Sequence, residues 1–419
     1  MNHGSQHILI IGKVWPEPLS SAAGSRMMQL IDLFLVQGWK VSFASAASQG
    51  EFTADLEKQR VTMFLIALNN ASFDVFIKEL NPSIVLFDRF TTEEQFGWRV
   101  AEQCPQALRM LDTEDLHCLR AARQQALKEK RSFETSDLVS ETARREIASI
   151  YRCDLSLIIS EFEMQLLKDF FKVDESLLHY VPFLLDPITE SKKRAWPGFS
   201  ERTGFISIGN FLHEPNWNAV LFLKQEIWPF IRLQLPKAEL HVYGAYPSHK
   251  VFELHNPKEG FLIKGRADDV NAVMSAARIC LAPLRFGAGI KGKLTDAMLF
   301  GTPSTTTDIG AESMHGKFPW NGEIANDAKS IANAAVKFYN HENLWKQAQE
   351  NGITIIKEFY PKEKHGKILI ERITTLLTTL TLKQHRHNNF SGGMLMQHTA
   401  LAARYMALWI EEKNKIRNP

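Results

Sequence analysis

With 419 residues the chain is too long for one ordinary core, and at roughly 100 to 200 residues per domain it reads as two. A hydrophobic fraction of 45%, a charged fraction of 23% and a formal charge of +2 are those of a globular protein, without the bulk basicity that a nucleic-acid partner requires. Cys104, Cys118, Cys153 and Cys280 stand apart with no CxxC spacing, which excludes a zinc knuckle or redox pair and predicts buried free thiols.

The opening, MNHGSQHILIIGK, has no basic segment followed by a long apolar core, so neither a signal peptide nor a membrane span is expected and the cytoplasm is the expected compartment. HILIIGK is followed by the amphipathic GSRMMQLIDLFLVQG, then by KVSFASA, VTMFLIAL, a helix near Asn70 to Leu80, and SIVLFD. Short β-rich runs alternating with helical patterns predict βαβ units and a parallel sheet. The rhythm continues through ALRMLDTED, one long charged helical region from Leu119 to Ile150, CDLSLIIS, a helix after Glu161, and LLHYVPF.

Residues 186–202, DPITESKKRAWPGFSER, are rich in proline and charge and carry no period, as an interdomain connection does. The alternation restarts with FISIGNF, the helix PNWNAVLFLKQEIWPFIRLQ, ELHVYGA, GFLIKGR, DDVNAVMSAA, RICLAPL, KGKLTDAMLFG, TPSTTTD and GEIAND. In that first helix Trp217, Trp228 and Phe230 are expected in the core. The expected organisation is a first domain over 1–185, a linker over 186–202, a second domain over 203–361 and a helical tail over 362–419. In the tail Leu395, Thr399, Ala402, Met406 and Trp409 fall on one helical face, read as packing onto the body, with peripheral membrane contact as the lesser reading. Two doubly wound α/β domains offer the carboxyl ends of their strands as ligand sites, and facing each other they make a cleft.

The stretch 281–312, LAPLRFGAGIKGKLTDAMLFGTPSTTTDIGAE, is the richest in chemistry. A strand ends at Leu284 and a helix begins near Lys291. Between them Gly287 and Gly289, with Gly292 just after, let backbone approach a ligand, and free N–H groups at a helix start attract anions. Arg285, Lys291 and Lys293 add cations at an end where the helix dipole disfavours them, which points to an anionic partner. Asp296 shares a helix face with Lys293; it reads equally as an acceptor for two ribose hydroxyls or as the partner of Lys293 in a surface ion pair.

This segment resembles the donor-binding signature of family-four retaining glycosyltransferases of the GT-B fold (glycosyl transferases group 1), and is especially similar to a bacterial polysaccharide- and glycan-assembly subgroup. The resemblance runs from ISIGNFLHEPNWNAVLFLKQEIWP through APLRFGAGIKGKLTDAMLFGTPSTTT to GAES. It implies the GT-B fold, two Rossmann-like domains about a cleft, and retaining transfer of a sugar from a nucleotide diphosphate donor to a glycan, lipid-linked or protein acceptor, without a metal or other cofactor. Residue by residue it implies ribose binding by Asp296, where the family usually has glutamate, and diphosphate binding by Arg285, Lys291 and Lys293, with Gly287, Gly289 and Ile290 in the donor loop. The family's other acid would fall at Ala288, and Asn210 stands where an arginine is more common. Glu312 in GAES reads as a donor contact or a turn.

PEPLSSAAGSRMMQLIDLFLVQGWKV resembles the family's first loop and helix more loosely, with Ala23 and Gly24 as the small residues that admit donor and acceptor and Arg26 at the helix start or merely on the surface. LDTEDLHCLR gathers Asp112, Glu114, Asp115, His117 and Arg120 at a strand end facing the cleft. His117 matches the family's histidine near the transferred sugar, and Arg120 reads as an anion or acceptor contact. Ser160 reads as a helix cap or an acceptor-side serine; His213, Glu214 and Asn216 read as a loop on the cleft side, with Asn216 equally a cap for the helix after it. Two alternatives stay open: a GT-B sugar-nucleotide epimerase, for which no acid–base pair can be named, and a catalytically weak sugar-nucleotide-binding partner protein, which the alanine at 288 suggests.

Overall fold

In the computed structural model, which describes residues 6–417, the alternating runs become two parallel sheets. The first holds β1 (His7–Gly12), β2 (Lys40–Ser45), β3 (Thr62–Leu65), β4 (Ile84–Asp88), β5 (Leu108–Asp112), β6 (Leu155–Ile158) and β7 (Leu178–Tyr180). The second holds β8 (Phe205–Ile208), β9 (Leu240–Tyr243), β10 (Phe261–Gly265), β11 (Ile279–Ala282), β12 (Ser304–Thr306) and β13 (Gly322–Ile324). Their orders, β3-β2-β1-β4-β5-β6-β7 and β10-β9-β8-β11-β12-β13, both reverse direction beside the first strand of the domain. In such a sheet the ligand crevice opens at the carboxyl ends of the strands on either side of that reversal.

Strand periodicity explains the unbroken apolar runs. Along β1, Ile8 and Ile10 join Ile84, Leu86, Leu108 and Met110 on one face, while Leu9 and Ile11 join Val85, Phe87 and Leu111 on the other. Helices cover both faces, so every position of the strand is apolar.

The chain passes between the domains twice, and the two passages lie side by side: Leu185 N–H donates to Tyr360 O at 2.9 Å and Lys362 N–H donates to Leu185 O at 3.0 Å. After the second passage, Leu369, Ile373 and Leu376 of the helix Lys362–Leu376, and Leu382 beyond it, enter the same apolar cluster as Ile8 and Ile10 of β1. The end of the chain therefore completes the first domain.

Three sequence expectations about helices are corrected. The charged region from Leu119 to Ile150 is two helices, His117–Lys128 and Glu141–Arg152; Lys130 takes φ 56°, which ends the first, and the Ser140 hydroxyl accepts from Ala143 N–H to start the second. Residues 186–202, between β7 and β8, carry local structure: Glu190–Arg194 is helical, and Arg202 is fully buried, donating to Thr302 Oγ1 at 2.7 Å and Phe300 O at 2.9 Å. Phe230 is 41% exposed rather than in the core. A π-helical turn, Leu223–Ile227, precedes Pro229, absorbs the missing N–H, and turns Trp228 and Ile231 inward instead.

The tail helix Phe390–Arg417 packs by a different face from the expected one. Ala407 is buried and Glu411 pairs with Arg99 at 2.8 Å, whereas Met406 and Trp409 are 65% and 62% exposed and Ala402 is also exposed; the Thr399 side chain and residues 1–5 lie outside the described residues. All four cysteines are buried free thiols. Among the described residues no helix is long and apolar enough to cross a membrane.

Candidate active site

The glycine-rich loop leaves β11 and enters the helix Gly292–Leu299 pressed against the first domain. Gly289 has φ 64°, and a Cβ there would lie 2.9 Å from Asp115 Cβ, so both conformation and space require glycine. Its N–H donates to Glu163 Oε1 at 2.8 Å, the oxygen that also accepts from Leu116 N–H at 3.0 Å. Glu163 is fully buried, and burial pushes its carboxyl up to about 8. Arg123, 6% exposed, donates to Gly287 O at 2.9 Å and to both oxygens of Glu312 at 2.7 and 2.9 Å. A Cβ on Gly292 would meet Ala22 Cβ at 2.8 Å, and Ile290 is buried against Ile159 and Phe183. These glycines admit the other domain before they admit any ligand.

Beyond the loop the charged side chains divide. Lys291 turns back, its Nζ donating to Gly289 O at 2.8 Å; Lys293 Nζ donates to Asn216 Oδ1 at 2.7 Å. Burial pulls both ammonium groups down to about 8. Asn216 is not a helix cap: its Nδ2 donates to Asn210 O at 2.9 Å, so it fixes the position of Lys293. The Asn210 side chain accepts from Leu212 N–H at 2.8 Å, inside its own turn. Asp296 makes no ion pair with Lys293 and has no side-chain partner among the described residues; burial pushes its carboxyl up to about 7. Arg285 lies along the helix Glu214–Phe222, its Nε donating to Asn218 Oδ1 at 2.8 Å and its guanidinium 4.7 Å from the Phe222 ring centre.

Opposite, His117 begins its helix with Nδ1 3.2 Å from Glu146 Oε1. The same carboxylate accepts from the N–H groups of His117 and Cys118, each at 3.0 Å. Glu146 thus caps the helix and orients the imidazole, leaving Nε2 without a hydrogen-bond partner among the described residues. Asp115 is bonded to Arg120. Burial alone would raise its carboxyl, but Arg120 and His117 hold it down at about 2.

Arg26 and Asp112 are corrected as cleft contacts. They are 1% and fully buried, and Arg26 donates Nε to both Asp112 oxygens at 3.0 Å and Nη1 to Val181 O at 2.7 Å. The pair joins three elements and presents no charge to a ligand. Gly24 is corrected likewise: a Cβ there would lie 2.4 Å from Glu17 C and O, so the space it leaves holds its own loop. Ser160 is the cap, accepting from Glu163 N–H at 3.5 Å, and among the described residues no His, Cys, Asp and Glu cluster is arranged to hold a metal ion.

Residues 202–341 match the family model described as glycosyl transferases group 1. The second domain is similar to that family over most of its length. The whole chain has the GT-B fold: it superposes on a sucrose-phosphate synthase from Thermosynechococcus elongatus with TM-score 0.64 at 14% identity, over 88% of this chain and 99% of that one. A glycosyltransferase from Rickettsia africae gives 0.65 at 14%, over 90% and 100%, and HepE of Anabaena, in complex with UDP and glucose, gives 0.65 at 12%, over 88% and 99%. Among curated proteins none matches the sequence.

In the second domain, then, Lys293 is held by Asn216 of the helix Glu214–Phe222, Asp296 lies one turn further along the Lys293 helix, Lys291 turns back into the loop and Arg285 is held by Asn218. Sequence reasoning missed Arg123, Glu146 and Glu163, because their partners lie far off in the chain, and also Lys13, Asp88 and Arg89. The last three sit at the ends of β1 and β4, where the strand-end rule applied to Asp112 would have found them.

Proposed function

We propose that the chain is a glycosyltransferase that moves a sugar, with retention, from a nucleoside diphosphate donor held by the second domain onto an acceptor held by the first, in assembly of a bacterial surface polysaccharide or other glycan. The observation that carries this reading is the pairless Asp296 beside Lys293, on a helix in a domain similar to glycosyl transferases group 1. A half-buried carboxylate without a counter-ion is costly, and its two acceptor oxygens suit the vicinal hydroxyls of a ribose. Lys293, fixed by Asn216, then faces the diphosphate, and stabilising charge on the departing group is where most of the rate arises. His117, oriented by Glu146, is assigned to the transferred sugar.

The test is thermal stabilisation by a panel of nucleoside diphosphates and their sugar conjugates, beginning with UDP, which HepE binds. One nucleotide is expected to raise the melting temperature of the native protein and not that of Lys293→Ala or Asp296→Ala. Transfer is expected to proceed in EDTA, since this reading gives the leaving-group charge to Lys293 instead of a metal. Stabilisation by no nucleotide overturns the donor site.

A further inference from the structure

The carboxyl ends of β1, β4 and β5 carry a second set of polar groups that donor binding does not use. Lys13 follows β1, and its N–H donates to Asp88 Oδ2 at 3.1 Å. Arg89 follows β4, with Nη1 3.6 Å from the same oxygen. Arg120 reaches the same place from the helix after β5 and holds Asp115. Three cations from three elements face two carboxylates, and the exposed Lys13 ammonium has no ion-pair partner among the described residues.

Two further observations mark this as a place for a ligand. Asp88 is 5% exposed, yet its Oδ1 has no hydrogen-bond partner, a vacancy that suits a hydroxyl donor. Arg89 adopts φ 71° and ψ 155°, a conformation that non-glycine residues rarely hold and that collects at functional sites; its N–H donates to Asp112 O at 2.8 Å, which fixes it there. Burial, with the charges of Arg89 and Arg120, holds the Lys13 ammonium below its usual value although Asp88 pulls the other way. Glu114 and the Arg26–Asp112 pair complete the surroundings; burial raises the Glu114 carboxyl well above the usual range. Desolvation first, and then the charges of Arg120, Lys293 and Arg89, lower the His213 imidazole, from the second domain, to about 4, with Asp115 opposing them.

We propose that the set is an acceptor subsite for an acidic sugar: Lys13, Arg89 and Arg120 take a carboxylate or phosphate carried by the acceptor, and Asp88 Oδ1 accepts one of its hydroxyls. The word acceptor rests on the transferase reading; the recognition of an acidic sugar does not. The anion belongs to the acceptor because its ligands all come from the first domain.

The experiment is calorimetric binding of glucuronate, glucose 6-phosphate, glucose and inorganic phosphate to the full chain with UDP present, for the native protein, Lys13→Ala and Arg89→Lys. UDP stabilisation of each variant reports that its fold is intact. Both acidic sugars are expected to bind at least tenfold more tightly than glucose, glucose 6-phosphate more tightly than phosphate, and both variants to lose tenfold or more for the acidic sugars. Equal binding of glucose, or unchanged binding by both variants, overturns the proposal. A Lys13-dependent preference for UDP-glucuronate over UDP-glucose would put the anion on the donor sugar and overturn the acceptor assignment. If UDP fails to bind while the acidic sugars bind through Lys13, the transferase reading fails and the acidic-sugar site stands.

Discussion

The two walls of the cleft handle charge in opposite ways. On the first-domain side most polar groups are matched within the protein: Arg26 with Asp112 beneath the cleft, Arg120 with Asp115, and the His117 imidazole with Glu146. On the second-domain wall Lys293 leans on a neutral asparagine and Asp296 on nothing among the described residues. Matched charges fix geometry; unmatched buried charges are held for a partner that arrives later and lower stability until it does. The Lys13, Asp88 and Arg89 group is where the first wall departs from its own pattern.

Removing one member from a matched pair should have the largest effect. Arg26→Ala leaves Asp112 charged and fully buried and is expected to cost about 3 to 5 kcal/mol in urea unfolding, enough to threaten the fold. The second wall should instead show itself in pH dependence. Lys293 ionises at about 8, so its charge is lost as pH rises through that value; Asp296 ionises at about 7, so its carboxylate is lost as pH falls through that value. The donor kcat/KM, which reports the free enzyme, is expected to peak between about 7 and 8 and to fall up to tenfold per unit outside that range, and Lys293→Arg is expected to remove the basic limb if it retains turnover. The smallest effect is a gain: Asp296→Asn removes an unmatched carboxylate and should stabilise the unliganded protein by roughly 0.5 to 2 kcal/mol while weakening nucleotide binding. A loss of stability there would mean that the carboxylate has a structural partner after all.

The same contrast decides what could be read from the sequence. The alternating runs display the two sheets because a strand and its helix are neighbours in the chain, and Lys293 with Asp296 was legible for the same reason: loop, helix start and charges lie within one short segment. Arg26 and Asp112 looked like cleft contacts because each stands at the end of a strand or the start of a helix, and a sequence cannot show that the two neutralise each other across 86 positions. The clasp of Arg123 on Glu312 spans 189 positions and that of Glu163 on Gly289 spans 126, so neither leaves a local signature. Arg285 shows the same limit: its neighbours in sequence are the donor loop, and its hydrogen-bond partner is Asn218 on another helix.

The return of the last helices to the first domain has a consequence for how the molecule is made. Leu369, Ile373, Leu376 and Leu382 close the face of the first sheet that carries Ile8 and Ile10. Translation delivers domains in order, and an N-terminal unit usually folds as it emerges. Here part of one apolar face, beyond the reach of that unit's own first helix, stays open while the whole second domain is synthesised, so the part of the protein born first is the last to be sealed.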